Sequence, residues 1–488
     1  MSTHRLSASQ FVARPIEEVF DFFKRPDNLG RITPASMGFE LLTDDRDMRD
    51  GLEIRYRIRP LLGIPLTWTT KITGYEPPNG FRDIQLRGPY RRWEHAHTFE
   101  PVPGGTLVRD EIEYAVPLGP LGDVANRLVV RSELERIFRH RAETIRTVFA
   151  ASAEPTGATV AVAGGTGFVG GAIATELHRR GHAVRVLSHR GERARGGLAD
   201  AIEIRSADVR SDRGLAEALH GADALVIALA FRNSPIEAPG KHQTFVEVDA
   251  EGTERLIAAA RTAGVKRVVY LSGAGAAPDA RRHWFRAKWR AEEAVRGSGL
   301  IWTIIRPTWI FGPRDVSLNR FVGFARRLLM VPMTNTGSQL LAPVFIDDAA
   351  DLAADSLGSE AAVNQVFELG GPDTLTMREI IATALRVAGL RRPILPGPTP
   401  LIKLAAIPLS WLPTPILTRD AVDFINQPAT VDLEPLLTRM PRRLTPLEEG
   451  LATYLGPSDR SATLTFDGPM PATTARPADS DTSAAARP

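Results

Sequence analysis

Cysteine is absent from all 488 residues. That excludes disulfides, thiolate nucleophiles and Cys-ligated metals, and it suits a reducing compartment such as the cytoplasm. An excess of one charge sign is nearly as scarce: 60 Lys and Arg face 57 Asp and Glu, a net charge of +3. Spread over this length, the balance offers no electrostatic footprint for nucleic acid, so none is expected as a partner. Long apolar runs are missing too. The start, "MSTHRLSASQFVARP", has no apolar core of signal-peptide length. The segment "LIKLAAIPLSWLPTPIL" at 401–417 carries Lys403 and three prolines, and it falls short of the about 20 residues of a spanning helix. It reads either as an apolar cap over a pocket or as a peripheral contact with a membrane surface or membrane complex.

A 43% hydrophobic and 24% charged composition is that of a globular protein, and the length calls for two or three domains. The small-residue and proline stretch "ASAEPTG" at 151–157 separates two patterns. Before it, Ile16, Val19, Phe20 and Phe23 repeat at helical spacing, and Trp68, Thr70 and Ile72 alternate as on a strand. "RRWEHAHTFEPVPGGTLVRDEIEYAV" reads as two strands joined around Gly104 and Gly105. A helix over Asp123–Phe149 offers Leu128, Leu134, Ile137, Phe138, Ile145 and Val148 for burial. The arginines 87, 91 and 92 read as a solvated strand edge.

This order of elements, and "RGPYRRWEHAHTFEPVPGGTLVRDEIEY" in particular, resembles the START-like superfamily, also called SRPBCC or polyketide cyclase-like. The resemblance covers residues 1–150 as a domain and implies an α+β helix-grip fold with a cavity for a hydrophobic small molecule. His95 and His97 lie two apart and share a face of their strand. A metal there needs further ligands, and the neighbouring sequence supplies no obvious carboxylate cluster. No metal is expected, and the pair reads as polar groups lining a cavity or facing solvent.

After the linker, "ATVAVA", "HAVRVLSH", "AIEIRS", "ADALVIALA", "KRVVYLSG" and "LIWTIIRP" are strand candidates. Helical patterns at 249–263 and 284–297 lie between them, which predicts an α/β Rossmann domain with a doubly wound parallel sheet. This domain is expected over 157–456, with a smaller C-terminal substrate or cap region. The Pro-, Ser-, Thr- and Ala-rich stretch 457–488 is expected to be a disordered tail. Within "VAGGTGFVGGAI", Gly164, Gly167 and Gly170 fall between a strand and a helix. A diphosphate can approach only a backbone free of side chains, and the helix N-terminus offers it unpaired N–H groups.

The spacing G-x-x-G-x-x-G resembles the extended and atypical short-chain dehydrogenase/reductases, the epimerase superfamily included. Similar too are "SADVRS", "ALVIALA", "VYLSG", "IIRPTWIFGP", "PVFIDDAADLAADSL" and "VFELGGPDTLTMREI". Within that group the chain is most similar to NmrA-like members and to the accessory NAD(P)-binding subunit of respiratory complex I. The resemblance implies that Gly164, Thr166, Gly167, Phe168, Val169 and Gly170 hold the diphosphate, and that Asp208 and Val209 flank the adenine. It also implies that Ala228, Leu229 and Ala230 line the ribose and nicotinamide side, and that Lys288 and Pro307 bound the nicotinamide end. Cofactor choice is set after the second strand, where an acid would bind the ribose hydroxyls. Here "VLSHRGERARGG" places Ser188, His189 and Arg190, with no acid before Glu192. The missing acid favours NADP(H) over NAD(H), with Arg190, helped by Arg193, facing the 2′-phosphate.

In the family's usual chemistry a tyrosine four residues before the lysine donates the proton, and a serine orients the carbonyl. Ser272 stands twelve residues before position 284, the familiar separation, yet position 284 is Trp284. An indole N–H donates a hydrogen bond but does not titrate usefully. Asp249 also replaces the asparagine usual in extended members. Ser272 and Lys288 are therefore the catalytic candidates of an NADP(H)-dependent oxidoreductase acting on a hydrophobic carbonyl, quinone or isoprenoid-like compound. The resemblance to isoflavone reductase-type enzymes, which lack the tyrosine, is consistent with this reading. The alternative is a non-catalytic NAD(P)H-binding carrier, redox sensor or assembly factor for a membrane-associated complex.

Overall fold

The computed structural model describes residues 3–34, 37–58, 65–117, 119, 122–123, 126, 130–149, 157–231, 236–410, 419–455 and 464–466. Strand β1 (His4–Val12) buries every second residue: Leu6, Ala8, Gln10 and Val12. Helix α1 (Ile16–Phe23) then turns Val19, Phe20 and Phe23 inward at helical spacing. Strands β2 (Glu40–Leu41), β3 (Glu53–Ile58), β4 (Leu66–Glu76), β5 (Gly80–Arg87), β6 (Arg92–Val102) and β7 (Gly105–Ala115) follow. They pair antiparallel in the order β2-β3-β4-β5-β6-β7-β1.

The long helix α2 (Arg131–Val148) packs on this sheet through Leu134, Phe138, Ala142 and Ile145, whose spacing lines one helix face. Leu128 lies outside the described residues. Phe20, Phe23, Phe81 and Phe99 fill much of the space beneath the helix. A cavity beside Asp110, Phe138 and Arg141 measures about 10 Å³, room for about one water and not for a hydrophobic ligand.

Three expectations for this part change. Arg87, Arg91 and Arg92 do not mark a sheet edge, because β6 is flanked by β5 and β7; Arg92 instead pairs with Glu113 at 2.9 Å. Residues Leu464–Phe466, inside the stretch read as a disordered tail, form a strand that pairs in parallel with β1. The rest of 457–488 lies outside the described residues. His95 and His97 are buried and do have carboxylates beside them, from Asp83 and Asp110 on the adjacent strands. Sequence distance concealed what strand pairing joins.

The second unit runs β8 (Thr159–Ala163), α3 (Phe168–Arg179), β9 (Ala183–Ser188), β10 (Glu203–Ser206), α4 (Leu215–Leu219), β11 (Ala224–Ile227), α5 (Gly252–Thr262), β12 (Arg267–Leu271), α6 (His283–Arg296) and β13 (Ile301–Pro307). All strands are parallel in the order β10-β9-β8-β11-β12-β13, extended by β14 (Gln365–Leu369). The strands are near-continuous apolar runs because helices cover both sheet faces. Strand order reverses between β8 and β11, and the crevice at that point is where such sheets bind ligands. The C-terminal region packs α7 (Val316–Arg327), α9 (Met377–Val387) and α11 (Leu447–Leu455) into a core of their own. Between them in the chain lie α8 (Ile346–Gly358), which covers β12 and β13, and α10 (Thr399–Ser410), which exposes Leu401 and Leu404. Residues 411–417 of the apolar segment lie outside the described residues. No helix among the described residues is long and apolar enough to cross a membrane.

The two units touch. Arg31 donates to the carbonyls of Gly196 and Leu198, both at 2.8 Å, and pairs with Asp200 at 3.0 Å. On α2, burial and then the nearby charge of Arg314 push His140 down to about 4. His140 is thus neutral in the folded protein at a pH where the unfolded chain protonates it. Its contribution is complete above pH ~6.5 and is lost as pH falls towards 4. Thermal melts at pH 7 and 4.5 are expected to show a smaller acid-induced drop in Tm for His140→Gln than for the parent protein.

Candidate nicotinamide cofactor site

The glycine loop sits at the switch point. β8 ends at Ala163, whose carbonyl accepts from the Ala228 N–H at 2.9 Å, so the end of β11 presses on the loop. Gly164 has φ +83°, and a Cβ there would lie 2.2 Å from the Ala228 carbonyl oxygen. A Cβ on Gly170 would lie 2.3 Å from the Gly164 oxygen. Both positions therefore demand glycine, and they leave bare backbone in front of α3, whose first-turn N–H groups have no intrahelical acceptor. Gly167 is the N-cap and is exposed, Thr166 is half-buried, and Phe168 and Val169 root the helix in the core below. This cradle fits a diphosphate.

Past β9 no acid intervenes. Ser188 is buried and its Oγ accepts from the Arg190 N–H at 3.3 Å, while the Arg190 side chain is exposed. Glu192 is engaged by Arg195 at 2.8 Å. The side chain of Arg193 lies outside the described residues. Asp208 accepts a two-pronged contact from Arg210 at 2.9 and 2.8 Å, with Arg213 at 4.0 Å. Burial and then the charge of Arg210 keep the His189 ring's pKa low, with Asp208 opposing and Arg190 and Arg213 adding to the effect. Arg210 and Arg213 were not singled out in the sequence; their signal is the "DVRSDR" run that carries the adenine-side aspartate. Val209 and Leu229 meet around Gly252, where an added Cβ would lie 3.3–3.4 Å from each. Ala228 is buried and Ala230 exposed, so the wall passes from core to surface.

The opposite wall is built from β12, β13 and α6. Lys288 Nζ lies 2.5 Å from Asp249 Oδ1, donates to the Leu271 carbonyl at 3.3 Å, and stands 5.4 Å over the Tyr270 ring. Asp249 is buried, which raises its pKa against the opposing pull of Lys288. Ser272 donates its hydroxyl to Glu292 Oε1 at 2.6 Å. Glu292 is fully buried and also accepts from Arg306 at 2.8 and 2.7 Å and from Arg296 at 2.6 Å. Ser272 thus has its one hydrogen committed and faces the crevice with lone pairs only. Pro307 ends β13, and its carbonyl accepts from Ala274 N–H at 2.9 Å, which holds the loop after Ser272.

Trp284 is 3% exposed and packs among Phe245, His283, Phe285 and Phe424. Its Nε1–H is buried with no hydrogen-bond partner. An unpaired buried donor costs about 1–3 kcal/mol, so it marks a place where an acceptor is missing. Trp284 and Lys288 share one face of α6 through their four-residue spacing.

A family model described as NAD(P)H-binding matches residues 164–319, and one described as polyketide cyclase/dehydrase and lipid transport matches 3–150. The 40 kDa subunit of the mitochondrial NADH-ubiquinone oxidoreductase of Neurospora crassa is 29% identical over 55% of this chain and 70% of that protein. A (4-alkanoyl-5-oxo-2,5-dihydrofuran-3-yl)methyl phosphate reductase of Streptomyces griseus is 31% identical over 47% of this chain and 74% of its own length. The chain is a polyketide cyclase-like domain joined to an NAD(P)H-binding domain of the short-chain dehydrogenase/reductase family. The crystal structure of gox2253 overlays 61% of this chain and 97% of its own at a TM-score of 0.50 with 22% identity, which bears on the fold alone. Such relatives place the short-chain dehydrogenase/reductase domain among NAD(P)-dependent oxidoreductases and their accessory subunits.

Within this dehydrogenase/reductase domain, the structure brings together the loop glycines, Ala228, Leu229, Val209 and Asp208 on one side and Lys288, Ser272 and Trp284 on the other. Glu292 is the residue sequence reasoning missed. Its signal is the spacing alone: it follows Lys288 by four positions and so shares that helix face. Glu292→Ala would strand two arginines and is expected to cost about 3–5 kcal/mol, read as a fall in denaturation midpoint. Arg190→Ala is expected to weaken NADPH binding roughly tenfold or more, the worth of a charge-assisted hydrogen bond, with NADH binding nearly unchanged. Equal losses for both cofactors would remove Arg190 from the 2′-phosphate.

Proposed function

We propose that the chain is an NADP(H)-dependent reductase of a hydrophobic carbonyl, quinone or isoprenoid-like compound. The observation that carries this reading is the unpaired Nε1–H of Trp284, buried in an aromatic box on the helix that bears Lys288. A bound nicotinamide cofactor supplies hydride. The rest is work for the chain. Trp284 donates a hydrogen bond to the substrate oxygen, which polarises the carbonyl but cannot protonate it. Lys288, on the same helix face, is the group that moves the proton and regains it from solvent, and Asp249, paired with it at 2.5 Å, stabilises its charge. Phe231, Phe245 and Phe424 around Trp284 exclude water and suit an apolar substrate. Arg190, Arg210 and Arg213 select the phosphorylated cofactor.

A second reading has its own observation. Lys288 is clasped by Asp249 and Ser272 by Glu292, so both groups that usually meet the substrate are held by the protein. That arrangement suits a domain that binds NAD(P)H as a carrier, sensor or assembly subunit of a membrane-associated complex. NADPH oxidation measured against lipophilic carbonyls and quinones separates the two. Turnover is expected with at least one, falling at least about tenfold in Lys288→Ala, as for loss of acid–base assistance. Trp284→Phe is expected to raise KM through loss of its donor. Tight NADPH binding without turnover across the panel, together with activity created by Trp284→Tyr, would establish the binding-protein reading instead.

A further inference from the structure

Outside the cofactor crevice, on the helix-covered face of the N-terminal sheet, four buried polar side chains meet the half-buried Asp83. His95 and His97 alternate on β6 and so point to one face. Strand register places Asp83 of β5 directly opposite His95 and Asp110 of β7 directly opposite His97. Directly opposed residues share a face, which brings the four side chains into one cluster. Arg141 reaches in from α2, 2.9 Å from Asp110 Oδ1 and 3.1 Å from His97 Nδ1. The histidines, Asp110 and Arg141 are each less than a tenth exposed, and the two imidazole centroids are 3.9 Å apart.

The spacings within the cluster fall into two kinds. Asp110 Oδ1 lies 3.1 Å from His95 Nε2 and 2.7 Å from His97 Nδ1, ordinary hydrogen-bond distances that orient both rings. The remaining ring nitrogens, His95 Nδ1 and His97 Nε2, both face Asp83 Oδ2 at 3.4 Å. That is beyond the usual hydrogen-bond range. It matches the separation of roughly 3.3–3.4 Å between two ligands of a tetrahedral cation bound at about 2.0–2.1 Å. The other Asp83 oxygen is fixed by the Trp93 Nε1–H at 3.2 Å, which leaves Oδ2 aimed at the imidazoles. One ligand atom from each of Asp83, His95 and His97 lies within 4.8 Å of the others.

We propose that Asp83, His95 and His97 form a binding site for a divalent transition-metal cation of the zinc class. Asp110 is the outer carboxylate that fixes the imidazoles, itself held by Arg141, the carboxylate–histidine–metal arrangement that conserves ring tautomer and raises ligand basicity. Three protein ligands leave one coordination position for water or a small ligand, the pattern of reactive zinc sites and not of closed structural ones. Charge supports a cation there. Two buried carboxylates face a single guanidinium, so the cluster carries an uncompensated negative charge unless a cation or a proton joins it. The site lies under α2, and the Arg141–Asp110 pair links its outer carboxylate to that helix.

The full chain, stripped with a chelator and dialysed against Zn2+, is expected to retain one equivalent per chain by elemental analysis, with a higher Tm than the stripped protein. Co2+ in place of Zn2+ is expected to give the visible absorption of a low-symmetry four-coordinate site. Asp83→Asn and His97→Gln are expected to abolish retention, and Asp110→Asn to weaken Zn2+ by about 10–100-fold, as outer-shell changes do. Circular dichroism and NADPH binding check that each variant remains folded. Failure of the unmodified chain to retain Zn2+ or to develop the Co2+ spectrum would overturn the proposal and leave a protonated imidazole as the balancing charge. Retention unchanged in both Asp83→Asn and His97→Gln would overturn it as well.

Discussion

A carboxylate with no contact with solvent organises the reactive wall of the crevice. Glu292 on α6 accepts from Arg306 on β13, from Arg296 one turn along its own helix, and from Ser272 after β12. A charge buried this deeply persists only when its lone pairs are filled, and here four donors fill them. The consequence is geometric. With Glu292 pinned to β12 and β13, the face of α6 that carries Lys288 and Trp284 has one orientation towards the crevice. Ser272, a substrate-orienting hydroxyl in the usual chemistry, becomes part of the frame.

The opposing wall rests on an equally strict contact. Gly164 and Gly170 leave no room for a Cβ against the carbonyls of Ala228 and Gly164, so the loop is locked to the end of β11 by backbone packing. One wall is specified by absent side chains and the other by a filled charge network. On that second wall stands a tryptophan whose N–H has no partner. The chain has thus kept a donor at the position of the missing tyrosine and surrendered the titrating group. In the reductase we propose, proton movement falls to Lys288, with its buried partner Asp249 holding its charge.

The N-terminal domain shows a different use of buried charge. There the polar cluster spans three adjacent strands and one helix, and it sits within an otherwise aromatic interior of Phe20, Phe23, Phe81 and Phe99. Contacts from Arg31 and α2 to the cofactor domain place the two units side by side, with His140 and Arg314 among the groups at the junction. Leu464–Phe466 returns along β1 and adds a parallel strand to that sheet.

Local pattern alone determined much of this protein. Alternating burial in β1, helical spacing in α1 and α2, and apolar runs in β8, β11 and β12 are properties of consecutive residues. The glycine trio declares the loop in the same way, and the separation of Ser272, Trp284 and Lys288 declares the altered helix. What neighbours in sequence cannot encode is which distant side chains meet. Strand pairing brought Asp83 and Asp110 to His95 and His97. Sheet order brought Arg306 to Glu292, and the π-helical segment Phe245–Glu251 that leads into α5 brought Asp249 to Lys288. Each of these groups is ionisable and at least half-buried, and a buried charge takes its role from the partner that neutralises it. Only the tertiary structure decides that partner.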